Sequence, residues 1–451
     1  MICKFRKYSL LACLLLVTAV SCFRDDHFNE NTGGSSSSGR RISEDTRSIP
    51  EYKRHVVLMV AGGRNNLSSY IRSDMGNLAT SPLPGDFLSD PVLLVLSRLN
   101  GPGMTSSDPN PAILYRLYTD HGGIVHKDTV KTWEGFAPLF GDNTLREALR
   151  YIQDNYPAGN YGMVLSSHGS GWLPSGYYNK PAEYEHLHPV PSAAGALRSV
   201  RRTAAEEEFP PIPAWPPVKS IGQDVDNGVS VEMELADFCN AIPSQMEYIL
   251  LDACLNGGVE VAWALREKTK LVGFSPTEVL AYGFDYTKLA DRLCRMTPEP
   301  ETVCRDYFAK YKEDSSMPWA TISLVDTREM TPLATLCKTL FEKYRTQLGS
   351  LDGALVQRYY RFDRHFYYDL KDILVKAGIT AEEEAALDAA LARCVVYKEN
   401  TEWFFFNPED DAFQLQNCCG MSMYLPSMGT AVLDYFYKQN VGWNQATELV
   451  K

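Results

Sequence analysis

Short apolar runs recur along the chain at 55–61, 91–96, 112–118, 161–166, 248–252 and 270–274. Each is rich in Val, Leu and Ile, and most close on a turn or polar residue, the pattern of buried strands. Between several of them the apolar period lengthens to that of a helix. Residues 145–155 (LREALRYIQDN), 231–241 and 259–268 (VEVAWALREK) read as amphipathic helices, with Ser230 as N-cap of the second. Alternation of strand and helix predicts an α/β fold with a parallel sheet covered on both faces. Further strands are expected at 319–325, 394–398 and 419–425, and further helices at 330–348, 366–377 and 381–393.

Two stretches break this rhythm. At the start, Lys4, Arg6 and Lys7 precede an apolar run at 10–20, too short to span a bilayer, and small residues follow. Residues 1–21 therefore read as an export signal. Ala19-Val20-Ser21-Cys22 resembles a bacterial lipobox, which makes Cys22 the expected lipidated first residue of the mature chain. Residues 22–50 are the expected tether, since 29–41 hold no aliphatic or aromatic side chain. The expected location is the cell envelope, with a lipid anchor in the outer membrane. The second break is 173–218, which carries nine of the 26 Pro, and Arg198, Arg201 and Arg202 beside Glu206, Glu207 and Glu208. Pro at that density breaks helices and central strands, so an exposed, functional loop is expected within a single domain at 51–451.

Composition narrows the function. The 451 residues are 45% hydrophobic and 22% charged, enough to bury a core without disulfides. Net charge is -12, and loss of 1–21 deepens it to -15, so nucleic acid is not an expected partner. The body holds eight Cys with no CxxC pair, which gives zinc or redox motifs no support. Asp224-Val-Asp226-Asn227-Gly228 reads as a turn rather than a calcium loop, because the loop spacing is missing. His186 and His188 lack further ligands, and no metal site is expected. Ser170 is no nucleophile elbow, since His168 stands where that motif needs Gly.

Two strand ends carry chemistry. The run 161–166 leads into His168-Gly169-Ser170-Gly171-Trp172, and the run 248–252 ends Asp252-Ala253-Cys254 with a helix close behind. Ligands bind at the carboxyl ends of parallel strands, so neighbouring strands would bring imidazole and thiol together. That pair makes a covalent catalyst. The thiolate attacks, His168 moves the proton, and the backbone N–H groups of Gly169 and Cys254 can steady an oxyanion.

These residues resemble the clostripain-like cysteine peptidases, whose caspase-like fold is shared with caspases, gingipains and legumains. The likeness rests on Asn65-Asn66-Leu67, the His168 motif, Asp252-Ala253-Cys254-Leu255, Val259-Glu260-Val261-Ala262, Tyr282-Gly283-Phe284-Asp285-Tyr286 and Gly420-Met421-Ser422-Met423-Tyr424-Leu425-Pro426. It implies an α/β/α sandwich with a mostly parallel central sheet, and a monomeric cysteine endopeptidase with His168 and Cys254 as the dyad. Cleavage after Arg or Lys is implied too, with Asp252 in the substrate pocket and Asp285 as a second acid there. By the same resemblance Arg198, Arg201 and Arg202 become self-cleavage sites. No cofactor is expected, and calcium enters only through the resemblance. The chain departs from the family at Asn256, where Met is common, at Ser166-Ser167, and in the length added by the Pro-rich insertion. A different class stays open: a catalytically silent surface lipoprotein that binds peptide or glycan on the same fold.

Overall fold

A computed structural model describes residues 54–451 apart from 102, 105–107, 109, 135–137, 142, 191–220, 315, 362–365 and 406–411. The export signal, Cys22, the tether, Arg198, Arg201 and Arg202 lie outside the described residues. Those that are described fall into one compact unit.

The core is a nine-stranded sheet. Its strands are β1 (His55–Gly63), β2 (Val92–Leu99), β3 (Ala112–Thr119), β4 (Val125–Trp133), β5 (Asn160–Ser166), β8 (Met246–Asp252), β9 (Thr269–Phe274), β10 (Thr321–Asp326) and β12 (Val395–Asn400). A hairpin of β6 (Gln223–Asp226) and β7 (Val229–Glu232) and the short β11 (Tyr368–Asp369) lie outside it. The sheet order is β12-β10-β9-β8-β5-β1-β2-β3-β4. The inner strands β9, β8, β5, β1 and β2 pair in parallel. Both flanks, β10 and β12 on one side and β3 and β4 on the other, pair antiparallel. The sheet is therefore mixed, and a mostly parallel description fits only its centre. Burial explains the difference. All nine residues of β1 are buried, as parallel strands must be, whereas β4 (VHKDTVKTW) is largely open to solvent. Its lysines suit an edge that must not recruit another chain.

Helices pack in two groups. Helix α1 (Ser68–Thr80) lies against Tyr286–Leu293, which touches Pro300–Glu313. In the other group, Val259–Leu265 contacts Leu235–Ala241, Met330–Lys343 and Gly442–Thr447. Among the described residues no helix is long and apolar enough to cross a membrane.

Some sequence expectations need correction. Residues 231–234 are not helical, because Asn227 and Gly228 take positive φ and fold Val229–Glu232 back on β6. The helix begins at Leu235, so Ser230 caps nothing. The helix expected at 366–377 spans Leu370–Lys376, after β11 has paired with Ser422–Met423. The start of the Pro-rich stretch is not an exposed loop. Leu173, Tyr177 and Tyr178 are buried, and the helix Pro181–Leu187 follows with Pro at its first turn, where the missing N–H costs nothing.

Candidate active site

The sheet order reverses at β1: its chain continues to β2 on one side, while β5 lies on the other. Such a switch point opens a crevice at the strands' carboxyl ends. The loops after β1, β5 and β8 all emerge there. β5 and β8 are neighbours in parallel register with Ser166 opposite Asp252, so His168 and Cys254 each stand two residues beyond the paired ends. The loops touch. A Cβ on Gly169 would lie 2.7 Å from the Cys254 carbonyl oxygen and 3.0 Å from Ala253 Cβ, so only glycine permits this approach. Among the described residues neither the Gly169 nor the Cys254 amide donates a hydrogen bond, which leaves both N–H groups available.

His168 is buried, and its Nε2 lies 2.7 Å from Asn66 Oδ1 in the loop after β1. The amide oxygen accepts Nε2–H, which fixes the tautomer and makes Nδ1 the basic nitrogen. Asn65 serves the backbone instead, accepting from the Leu67 amide and donating to the Gln223 carbonyl. The strand leading out of the insertion is also held here, through Gly222 N–H to the His168 carbonyl (2.9 Å) and Gln223 N–H to Ser167 Oγ (3.3 Å).

Cys254 is partly buried, and Leu255 after it takes φ of 59°. That left-handed residue costs roughly 1–2 kcal/mol and turns the chain sharply beyond the thiol. The Leu255 amide donates to Thr277, and that of Gly257 to Ser275. The thiol donates to the Val279 carbonyl (3.5 Å) and accepts from the Val279 amide (3.2 Å). Burial, then the nearby Glu278 carboxylate, push it up to about 12, so the resting sulfur is neutral. Glu278 is held by Arg361 at 2.9 Å.

The C-terminal third backs both loops. Glu260 accepts from the Tyr424 amide and the Tyr437 hydroxyl, and Ser422 donates its amide to Gly257. Trp172 packs its ring 4.9 Å from Tyr424, and Tyr367 donates to the Ser170 carbonyl (2.7 Å).

Beside the thiol, Asp252 is buried. Its Oδ2 accepts from Tyr286 Oη (2.7 Å) and the Phe284 amide (3.2 Å), and its Oδ1 has no hydrogen-bond partner among the described residues. Asp285 is occupied otherwise, ion-paired to Lys288 at 2.9 Å and bonded by Thr287. Sequence reasoning missed Asn66 as the partner of His168, and missed Asp74 and Lys310, whose fields reach Asp252. The one available signal for Asp74 was an acid on the same helical stripe as Ile71 and Leu78. Away from this crevice, a cavity of about 400 Å³ is lined by Asp369, Glu384, Asp388 and Lys398, but Glu384 and Asp388 are already ion-paired to Lys371. Asp224 and Asp226 of the Asn-Gly turn are likewise engaged, with Arg98 and Arg64.

The profile of the clostripain family, peptidase group C11, matches residues 213–448, more than half of the chain. The chain belongs to the clostripain family. No curated protein matches it. Its fold is that of solved C11 proteases. A secreted C11 cysteine protease from Bacteroides thetaiotaomicron, iotapain, is 22% identical with a TM-score of 0.67, covering 88% of this chain and 100% of that one. The same description applies to a complex with an irreversible peptide inhibitor, at 20% identity and a TM-score of 0.66, covering 88% and 99%. An inactive zymogen C11 protease from Parabacteroides distasonis is 22% identical with a TM-score of 0.66, covering 88% and 98%. This clostripain-family chain thus carries a cysteine-peptidase fold, and its family match includes the Cys254 loop and the late Gly420–Pro426 segment that backs it.

Proposed function

We propose that the protein is an exported cysteine endopeptidase that cuts peptide bonds after Arg or Lys, with Cys254 as nucleophile and His168 as acid and base. The observation that carries this is the register of β5 and β8, which sets both loops at one height with Gly169 against the Cys254 carbonyl. Substrate displaces the Val279 peptide group from the thiol. His168 Nδ1 takes the thiol proton as sulfur attacks the scissile carbonyl, and the Gly169 and Cys254 amides hold the oxyanion. The imidazolium then gives its proton to the leaving amine, and water hydrolyses the thioester by the reverse route. Asp252 meets the substrate cation through its unpartnered Oδ1, and Asp285 adds to the negative field around Lys310. A thiol at about 12 cannot be a standing thiolate at neutral pH, so proton transfer accompanies attack. The parallel centre of the sheet supports a caspase-like arrangement.

Export follows from the signal-like residues 1–21 and agrees with the secreted relative, and Cys22 supplies the lipid anchor. Arg198, Arg201 and Arg202 offer the enzyme its own preferred residue just before a segment bonded to the His168 loop. Self-cutting there gives new N-termini at Ser199, Arg202 or Thr203.

Alkylation by an Arg- or Lys-directed chloromethyl ketone, read by mass spectrometry, tests the assignment. The adduct is expected on Cys254 and lost in His168→Ala, and Cys254→Ala loses peptide hydrolysis while remaining folded. Near-normal kcat/KM in Cys254→Ala defeats the assignment. A wild type that neither labels nor hydrolyses marks the silent binding protein instead. N-terminal sequencing of wild type beside Cys254→Ala checks self-cutting, which must occur in wild type alone.

A further inference from the structure

The reading above, on which the following rests, sets one carboxylate, Asp252, directly against the substrate cation. We propose that Asp74 of α1 is the pocket's second specificity carboxylate, and that Asp74 and Asp252 together outweigh the resident ammonium of Lys310, leaving room for one substrate cation.

Three observations carry it. Asp74 lies on the buried stripe of α1 with Ile71 and Leu78, is 5% exposed, and makes no hydrogen bond or ion pair with any described residue. A buried acid without a partner is costly and calls for a ligand. Asp252, also 5% exposed, leaves a buried Oδ1 unpartnered, which is a second and independent call for a donor in the same place. Lys310 of the helix Pro300–Glu313 spends its Nζ on the carbonyls of Tyr282 (2.6 Å), Gly283 (3.2 Å) and Phe284 (3.1 Å), and forms no ion pair with either carboxylate. Its charge acts on them through space.

The charge count then decides. Asp285 is paired with Lys288, and Asp314, the other acid whose field reaches Lys310, sits near the surface bonded by Ser316 and Met317. Asp252 alone would be balanced by Lys310, and the pocket would hold no net charge to select a basic side chain. With Asp74 ionised as well, one negative charge remains. Gly283 keeps it reachable: a Cβ there would lie 2.2 Å from Asp252 Oδ2. Tyr282, beside Gly283, and Tyr70, one helical turn before Asp74, meet edge to face at 5.6 Å and are partly exposed. Aromatic rings carried by the helix of Asp74 and by the segment that bonds Asp252 suit the long cationic stem of Arg or Lys.

The surroundings of Asp74 favour its protonated form. Burial first, then Asp252, push Asp74 up to about 8, with Lys310 opposing. The other groups facing it are the phenols of Tyr286 and Tyr311. A bound cation drives the proton off, so KM for basic substrates should fall as pH rises through about 8.

The test uses the full-length protein and two peptides that differ only in Arg or citrulline before the scissile bond, assayed from pH 6 to 9. Citrulline keeps the shape and loses the charge. Asp74→Asn is expected to lower the Arg-to-citrulline ratio of kcat/KM by ~10-fold or more. The loss should fall on KM rather than kcat, and the pH dependence of KM should flatten. Lys310→Gln is expected to raise the same ratio, and it decides the matter if Asp74→Asn fails to fold. An unchanged ratio in Asp74→Asn, or an equal loss on both peptides, overturns the role of Asp74 and leaves the peptidase reading standing. A wild type with no preference for Arg over citrulline overturns the basic-residue reading and this proposal with it.

Discussion

Two buried clusters of charge lie near the crevice, and they are built oppositely. In the first, Arg64 and Arg98, both fully buried, meet Asp224 and Asp226 of the β6–β7 hairpin. Arg98 bonds both oxygens of Asp226 at 2.8 and 3.0 Å, Arg64 meets the same carboxylate at 2.5 Å, and Asp224 also accepts from the Leu139 and Phe140 amides. Two cations face two anions in contact. In the second, Asp74 and Asp252 face one Lys310 that touches neither. The first cluster is paired in direct contact and fastens the hairpin to the ends of β1 and β2, with only Asp224 Oδ1 of its carboxylate oxygens left without a hydrogen-bond partner among the described residues. The second is left one charge short, as the proposed site for an outside cation requires. Burial alone does not separate structural from functional charge; contact pairing and the count do.

Breaking the paired cluster should have the largest effect. Arg98→Met leaves Asp224 and Asp226 with too little positive charge and should cost ~3–5 kcal/mol in urea unfolding. Hydrolysis of Arg and citrulline peptides should then fall together, so a change in their ratio would erase the contrast between the clusters.

Acid and base titrations should part the clusters next. Burial raises Asp226, but its bonds to Arg98 and Arg64 outweigh that and hold it below the usual carboxylate value. The folded state then binds fewer protons there, so this contribution is complete above about pH 4 and is lost as pH falls through the folded value. Asp74 runs the other way. Its folded value of about 8 means the folded state holds a proton the unfolded chain has released, so stability declines as pH rises from about 4 to about 8. Asp74→Asn should remove that decline and gain ~1–2 kcal/mol at pH 8, with little gain at pH 4. Thermal melts across pH in both proteins provide the measurement, and parallel curves would contradict the unpaired state of Asp74.

The smallest effect calibrates the rest. Arg305 and Glu301 form an exposed pair one helical turn apart at 2.6 Å. Arg305→Ala should change stability by ~0.5 kcal/mol or less and leave the peptide ratio alone.

The parallel centre was legible in the sequence because its strands are fully buried and so read as unbroken apolar runs, as in HVVLMVA and YILLD. β4 was not, because an edge strand of alternating charge carries no such run. Nor was α1, whose inward face includes an acid and so blurs the stripe. Residues 231–234 misled because Val231 falls in helical spacing with Leu235 and Phe238, and only the backbone turn at Asn227-Gly228 reveals the hairpin. His168 and Cys254 stood out because each follows a buried strand and meets glycine or a helix start. Asp74 and Lys310 could not stand out, since their meaning depends on Asp252, which folding alone brings near.

The crossing from β5 to β8 has a consequence for engineering. The chain between them leaves the sheet, yet the ladder of β5 on β8 and the hairpin's grip on Arg64 and Arg98 join the two halves without it. A gene divided between codons 190 and 221 should therefore yield two polypeptides that recognise each other by strand pairing and by a four-charge latch. The first half would carry the imidazole and the second the thiol, so neither could act alone.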